Sequence, residues 1–199
     1  ITVYDLIHEK LSEINGNLVL GKQQAIKIAD EIICISNNTK KDLLKYYDVD
    51  QKKISVIHLG ANHLLNSSDS LVLINKKNDI EKRRPFLLYV GSRNKYKNFN
   101  LFLDGIANSD KVKKDFDIIL FGGGHLTSKE QERIRNLNLR NISNVDGDDN
   151  LLRNFYKKAK LFIFPSIFEG FGLPLLEAMS LGCPVLCARN STFEELAAD

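Results

Sequence analysis

Two stretches of the chain gather residue types suited to a charged, hydroxyl-rich ligand. One is Phe164-Pro165-Ser166-Ile167-Phe168-Glu169-Gly170-Phe171-Gly172-Leu173-Pro174-Leu175-Leu176-Glu177-Ala178-Met179. Gly170 and Gly172 free the backbone to come close to a ligand, and Pro174 suits the first position of a helix whose N-terminus would face it. Glu169 in the loop and Glu177 one turn into the helix lie eight positions apart and can point into one cleft. Carboxylates accept hydrogen bonds from vicinal hydroxyls, so a sugar or a ribose is a natural partner. The same residues have plainer readings: Glu177 as a first-turn carboxylate favoured by the helix dipole, Phe171 as a core aromatic.

The other stretch is Gly91-Ser92-Arg93-Asn94-Lys95-Tyr96-Lys97-Asn98, directly after the apolar run Phe86–Val90. Gly91 permits a sharp exit from a strand. Arg93 offers a planar fork of donors and Lys97 a point charge, and a following helix N-terminus would add backbone N–H groups for an anion. A solvated loop with scattered charge would carry the same residues.

Short β-rich runs alternate with helical patterns along the chain. Strands are predicted at Ile1–Ile7, Ile32–Ile35, Ile54–Ile57, Phe86–Val90, Asp117–Phe121, Leu161–Phe164 and Pro184–Cys187, with a weaker one near Asn141–Val145. Helices are predicted at Val19–Asp30, Thr39–Tyr47, Phe99–Ala107, Ser128–Leu137, Asn150–Lys160, Pro174–Leu181 and Thr192–Ala197, with Thr39 and Asp148 or Asp149 as caps. Such alternation implies parallel sheets covered on both faces, and ligands beyond the carboxyl ends of the strands. The alternation breaks once, in the polar stretch around Asn66–Ser70, Asn75–Asp79 and Glu81–Pro85. The expected organisation is residues 1–65 as one incomplete α/β layer, 66–85 as linker, and 86–199 as a second α/β layer, the two meeting at a cleft.

Among the 199 residues, 28 Lys and Arg stand against 25 Asp and Glu, a net charge of +3, which argues against wholesale nucleic-acid binding. No apolar run approaches the roughly 20 residues of a membrane-spanning helix. Three cysteines without metal-ligand spacing fit a reducing cytoplasm. The opening Ile1-Thr2-Val3-Tyr4-Asp5 lacks a methionine and begins in mid-strand, so an upstream segment is expected.

The stretch from Glu169 to Glu177 resembles the E-x7-E signature of retaining glycosyltransferases of family 4, the group 1 glycosyl transferases. The Gly91–Asn98 loop is similar to that family's diphosphate loop, and Asp117–Gly124 and Asn144–Gly147 resemble further landmarks. The resemblance covers nearly the whole chain. It implies a GT-B fold: two Rossmann-like domains with parallel sheets, residues 1–65 being the C-terminal part of the N-terminal, acceptor-side one, which is incomplete here, and 86–199 the nucleotide-sugar-binding one, C-terminally incomplete. It implies transfer of a hexose, mannose among the candidates, from a GDP- or UDP-linked donor to a glycan or lipid-linked acceptor, with retention and without a metal or other cofactor. Arg93 and Lys97 would stabilise the leaving diphosphate, with Glu169 as the third catalytic residue. Gly91, Glu169, Gly170, Phe171, Gly172 and Leu173 would hold the donor, and Glu177 its ribose diol. A cytoplasmic enzyme peripheral to the inner membrane face is the expected setting.

The chain departs from the family where many relatives place a histidine before the first aspartate: here the pair is Tyr4-Asp5, with His8 three residues on. Asp5 and His8 are the acceptor-side candidates. The chain stops at Asp199, before the last helices of such enzymes, so it could be a fragment unable to turn over. A non-catalytic nucleotide-sugar-binding relative and a nucleotide-sugar epimerase are the alternative functions. Asp146-Gly147-Asp148 could hold a divalent metal in another fold, but turn formation and helix capping explain it better. Lys111–Lys114 reads as a solvated helix end, and Cys183 and Cys187 as packing residues.

Overall fold

The computed structural model describes residues 1–11, 16–61, 64, 84–189 and 191–196. These divide into two compact units. One comprises Ile1–Gly60, Phe168–Leu173 and the stretch from Arg189 onward, and the other Ala61–Ile167 and Pro174–Ala188. Each is built on its own parallel sheet, of three and five strands respectively, so the expected pair of Rossmann-like α/β layers is present.

In the smaller unit, β1 (Thr2–Val3), β2 (Ile32–Cys34) and β3 (Ile54–Val56) lie side by side in chain order, with Val3 opposite Cys34 and Cys34 opposite Val56. Around them run α1 (Ile7–Leu11), α2 (Gly16–Ile28), α3 (Asn37–Tyr46) and, late in the chain, α9 (Ser191–Leu196). Val3, Leu6, Ile26, Ile32, Cys34, Leu43 and Ile54 form the core.

The first strand is shorter than its β-rich composition suggests. Asp5 Oδ1 accepts the Ile7 N–H at 3.1 Å, and this local bond opens α1 where the pattern predicts extended chain to Ile7. The cap of α3 also shifts. Ser36, in extended conformation, accepts the Thr39 N–H at 2.9 Å, so Thr39 sits inside the helix it was expected to start.

The larger unit contains β4 (Phe86–Val90), α4 (Phe99–Ala107), α5 (Asp110–Asp115), β5 (Asp117–Phe121), α6 (Ser128–Asn136), β6 (Ile142–Val145), α7 (Asp149–Lys158), β7 (Leu161–Phe164), α8 (Leu173–Ser180, except its first residue, which falls in the smaller unit) and β8 (Val185–Cys187). The sheet order is β6-β5-β4-β7-β8, all parallel. Every residue of β4 is buried, because both faces of this central strand are covered. Leu87 and Tyr89 meet Phe99, Phe102 and Leu103 of α4. On the other face Phe86 and Phe121 both pack on Phe155 of α7, and Phe162 packs on Tyr156.

Lys111–Lys114 belongs to a separate short helix, α5, capped by Ser109, rather than to the end of a longer one. Pro174 takes the second position of α8, one place later than expected. Asp148 caps α7 by accepting the Leu151 N–H at 2.9 Å, and a side chain at Gly147 would collide with Leu151, so the Asp-Gly-Asp triplet is accounted for by this turn. Apart from Arg84 and Pro85, the expected linker lies outside the described residues. No described helix is long and apolar enough to cross a membrane.

Candidate functional site

The strand order of the larger sheet reverses between β4 and β7. The chain steps from β4 to β5 to β6, then returns through α7 to pair β7 with the other edge of β4. A reversal of this kind opens a crevice beyond the carboxyl ends of the two strands, the usual place for a ligand in an open α/β sheet. The loop leaving β4 is the one that carries Arg93 and Lys97.

That loop is held at several points. Gly91 leaves the strand at φ +103°, and its N–H is bonded to Phe121 O at 2.9 Å. The Tyr89 hydroxyl donates to Ser92 O at 2.9 Å. Lys95–Lys97 form a single 3₁₀ turn, and Asn98 at φ 55° swings the chain into α4. The Ile167 N–H, past the end of β7, donates to Tyr96 O at 2.8 Å and ties the two post-strand segments together. Lys97 Nζ lies 5.5 Å from the ring centroid of Phe164, the last residue of β7, and 5.4 Å from that of Tyr96. Lys97 therefore brings a positive charge, steadied by two aromatic faces, to the point where the strand order reverses.

Arg93 turns the other way. Its Nε donates to Glu130 Oε1 at 2.8 Å, its Nη1 to Gly122 O at 3.2 Å, and its Nη2 to Gly123 O, Gly124 O and His125 O at 3.1, 3.0 and 3.0 Å. Its side chain is only 4% exposed. Gly122, Gly123 and Gly124 all have φ between 72° and 75°, which only glycine adopts without strain. The Asn144 amide at the end of β6 donates to Gly124 O at 3.0 Å. Glu130 closes a capping box with Thr127 at the start of α6. Burial pushes its carboxyl pKa upward, but the Thr127 N–H and hydroxyl and the Arg93 guanidinium more than offset this and hold it below the usual range. Beside the loop, a groove of about 560 Å³ is walled by residues including Asn94, Asn98, Lys129 and Arg133.

Glu177 lies in α8 and is buried at 6% exposure. The Tyr156 hydroxyl of α7, itself fully buried, donates to Glu177 Oε2 at 3.1 Å. Burial, then the neighbouring carboxylate, push the Tyr156 phenol well above its ordinary pKa, so it serves as a proton-bearing donor. Nothing in the sequence distinguishes Tyr156 from the other apolar-face residues of α7; only the fold reveals this partner.

The remaining expected residues belong to the smaller unit. In the Glu169–Leu173 segment, the Gly170 carbonyl accepts from Ser36 Oγ at 2.7 Å and from Thr39 Oγ1 at 3.1 Å, and the Glu169 carbonyl accepts from Thr192 Oγ1 at 2.9 Å. A Cβ at Gly170 would lie 1.9 Å from Tyr4 O, and one at Gly172, φ +92°, 2.8 Å from Phe193 Cε1. The close approaches at these glycines are thus made by the protein's own atoms. Phe171 is buried, with the His58 ring 5.6 Å away. Glu195 of α9 accepts the Asn37 and Asn38 N–H groups at 2.8 and 2.6 Å, adding a carboxylate to the α3 N-terminus. Asp5 is the residue whose carboxylate accepts the Ile7 N–H at the start of α1, and His8 is exposed on that helix.

Gly91, Arg93, Lys97 and Glu177 thus stand in the five-stranded unit, and Asp5, His8, Glu169, Gly170, Phe171, Gly172 and Leu173 in the three-stranded one. Among the described residues no group of three or more His, Cys, Asp or Glu side chains gathers as metal ligands would. Burial raises the Cys34 and Cys183 thiols to about 11, in keeping with packing roles.

The profile described as "Glycosyl transferases group 1" matches residues 73–199, and the chain belongs to that family. Among curated relatives it is 30% identical over 164 residues to the N-acetylgalactosamine-N,N'-diacetylbacillosaminyl-diphospho-undecaprenol 4-alpha-N-acetylgalactosaminyltransferase of Campylobacter jejuni, covering 82% of this chain and 42% of that protein. It is 29% identical over 177 residues to the O-antigen chain mannosyltransferase RfbU of Salmonella typhimurium, covering 87% of this chain and 46% of that one. The crystal structure of Anabaena HepE in complex with UDP-glucose superposes with a TM-score of 0.76 at 18% identity, over 100% of this chain and 55% of that one. The fold is therefore of the GT-B type, and the chain spans less than half the length of these two curated relatives.

Proposed function

We propose that the protein takes part in glycosyl transfer from a nucleotide-diphosphate sugar, with retention of anomeric configuration, to a glycan or lipid-linked acceptor. The observation that carries this reading is the position of Lys97, whose ammonium group sits at the reversal point of the larger sheet. A diphosphate leaving group gains negative charge as the glycosidic bond lengthens, and a fixed cation there lowers the barrier without needing to move. The bond between the anomeric carbon and the diphosphate oxygen breaks, and a new bond forms to the acceptor oxygen on the same face. The acceptor's proton passes to the departing phosphate, so no protein nucleophile is needed.

Glu177, oriented by Tyr156, would accept the ribose hydroxyls. The names of the two curated relatives support an acceptor of the lipid-linked or O-antigen kind and a hexose or N-acetylhexosamine donor. In the full-length protein, Lys97→Ala should lower the turnover number about 100-fold or more, the range seen on removing one transition-state charge partner. Radiolabelled donor assays with UDP- and GDP-sugars would measure it. Unchanged turnover in Lys97→Ala would refute the assignment.

A further inference from the structure

Arg93 occupies the loop that the family resemblance assigns to the diphosphate, yet its guanidinium is engaged within the protein. One carboxylate and four carbonyl oxygens converge on it. To meet a phosphate its nearly buried side chain would have to abandon these five bonds. The arrangement also explains the three consecutive left-handed glycines: in that conformation successive carbonyls turn to the same side, and a planar fork of donors is the group that can meet several of them together. A side chain at Gly123 would fall 2.5 Å from Gly91 O and 2.8 Å from Arg93 Nη1, so this close seat is available only to glycine.

We propose that Arg93 is a positioning residue of the donor site. It fixes the Gly122–His125 segment, at the carboxyl end of β5 beside the exit of β4, and so shapes the wall against which the nucleoside portion of the donor is bound. This rests on the donor-binding reading above but gives Arg93 a task different from charge neutralisation. Lys97 acts on the diphosphate; Arg93 acts through the loop. Asn144, which is uncharged and holds Gly124 O from the other side, serves the same segment.

The two tasks separate by ligand. UDP and UMP, or the guanosine pair if that base is preferred, are titrated calorimetrically against the full-length wild type and the variants Arg93→Lys, Asn144→Ala and Lys97→Ala. Arg93→Lys keeps the charge and loses the fork; it should weaken diphosphate and monophosphate by the same factor, about 10-fold. Asn144→Ala should show the same uniform pattern with a smaller factor, and Lys97→Ala should weaken the diphosphate more than the monophosphate. A purely global destabilisation would lower the active fraction and leave the dissociation constants of the folded protein unchanged. In parallel, hydrogen exchange without ligand should quicken about 10-fold across residues 119–126 in Arg93→Lys, with residues 161–167 unaffected. Loss confined to the diphosphate, or exchange in 119–126 equal to wild type, would overturn the proposal. If neither nucleotide binds the wild type, the donor reading fails, and the exchange measurement still decides whether Arg93 holds the segment.

Discussion

Two glycine-bearing segments follow parallel strands in this chain, and they are held in opposite ways. Gly122–His125, after β5, is gathered by side chains reaching into its carbonyls, chiefly the single guanidinium of Arg93. Glu169–Leu173, after β7, is fixed by packing from several directions: Ser36 and Thr39 on the Gly170 carbonyl, Thr192 on the Glu169 carbonyl, Tyr4 and Phe193 against the glycines themselves. In the first segment glycine is needed chiefly for its conformation, in the second for the missing side chain. One is exposed to single substitutions, whereas the other distributes its restraint over many partners.

The largest expected effect lies where both needs coincide. Gly123→Ala places a methyl 2.5 Å from Gly91 O at a residue with φ +75°. The left-handed backbone costs about 1–2 kcal/mol for a non-glycine residue, and overpacking adds about 1–3 kcal/mol. Gly124→Ala shares the conformation at φ +72° but meets nothing within 4 Å, so it carries the first cost alone. Urea unfolding of the pair should therefore separate the two costs. Equal midpoints would show that the seat beneath Arg93 is not tight.

Next comes Gly170→Ala. Its φ is not left-handed, so the whole effect, about 3 kcal/mol, should come from the methyl 1.9 Å from Tyr4 O. Ser36→Ala tests the distributed restraint from the other side. The Gly170 carbonyl keeps its bond from Thr39 Oγ1 at 3.1 Å, so what remains is loss of the α3 cap, about 1 kcal/mol. A Ser36→Ala cost as large as that of Gly170→Ala would mean that one hydroxyl, not the ensemble, holds the segment.

The contrast also shows what the sequence discloses. The apolar runs Phe86–Val90, Asp117–Phe121 and Leu161–Phe164 and the helix Phe99–Ala107 are bounded in the structure where the pattern predicts, because strands covered on both faces leave long uninterrupted apolar signals. The two-residue β1 is overestimated because a local side-chain bond at Asp5 diverts the chain early. In the candidate site, residue type and spacing single out Lys97 and Glu177, and the structure places both in the five-stranded unit. The direction of Arg93 is not legible in this way, since its acceptors lie 29 to 37 positions ahead and reach it only once β5 pairs with β4. For the same reason a tyrosine on α7 gives no hint in sequence of the carboxylate on α8 that it serves.

The smallest effect expected is also the one that tests whether Arg93 and Glu130 act together. Glu130 has a lowered pKa in the folded protein, so it contributes stability above its unfolded value of about 4.3 and loses that contribution as the pH falls through the folded value. Glu130→Gln can still close the capping box with Thr127, which Gln also forms, but cannot titrate or pair its charge with Arg93. The stability of the wild type should therefore fall more steeply than that of Glu130→Gln between pH 5 and pH 3, as read from urea midpoints. The carboxylate is partly open to solvent, so screening holds the difference below about 1 kcal/mol. Parallel pH profiles would mean that the Arg93–Glu130 contact carries no weight beyond the carbonyl bonds, leaving the backbone of Gly122–His125 as the true anchor of the guanidinium.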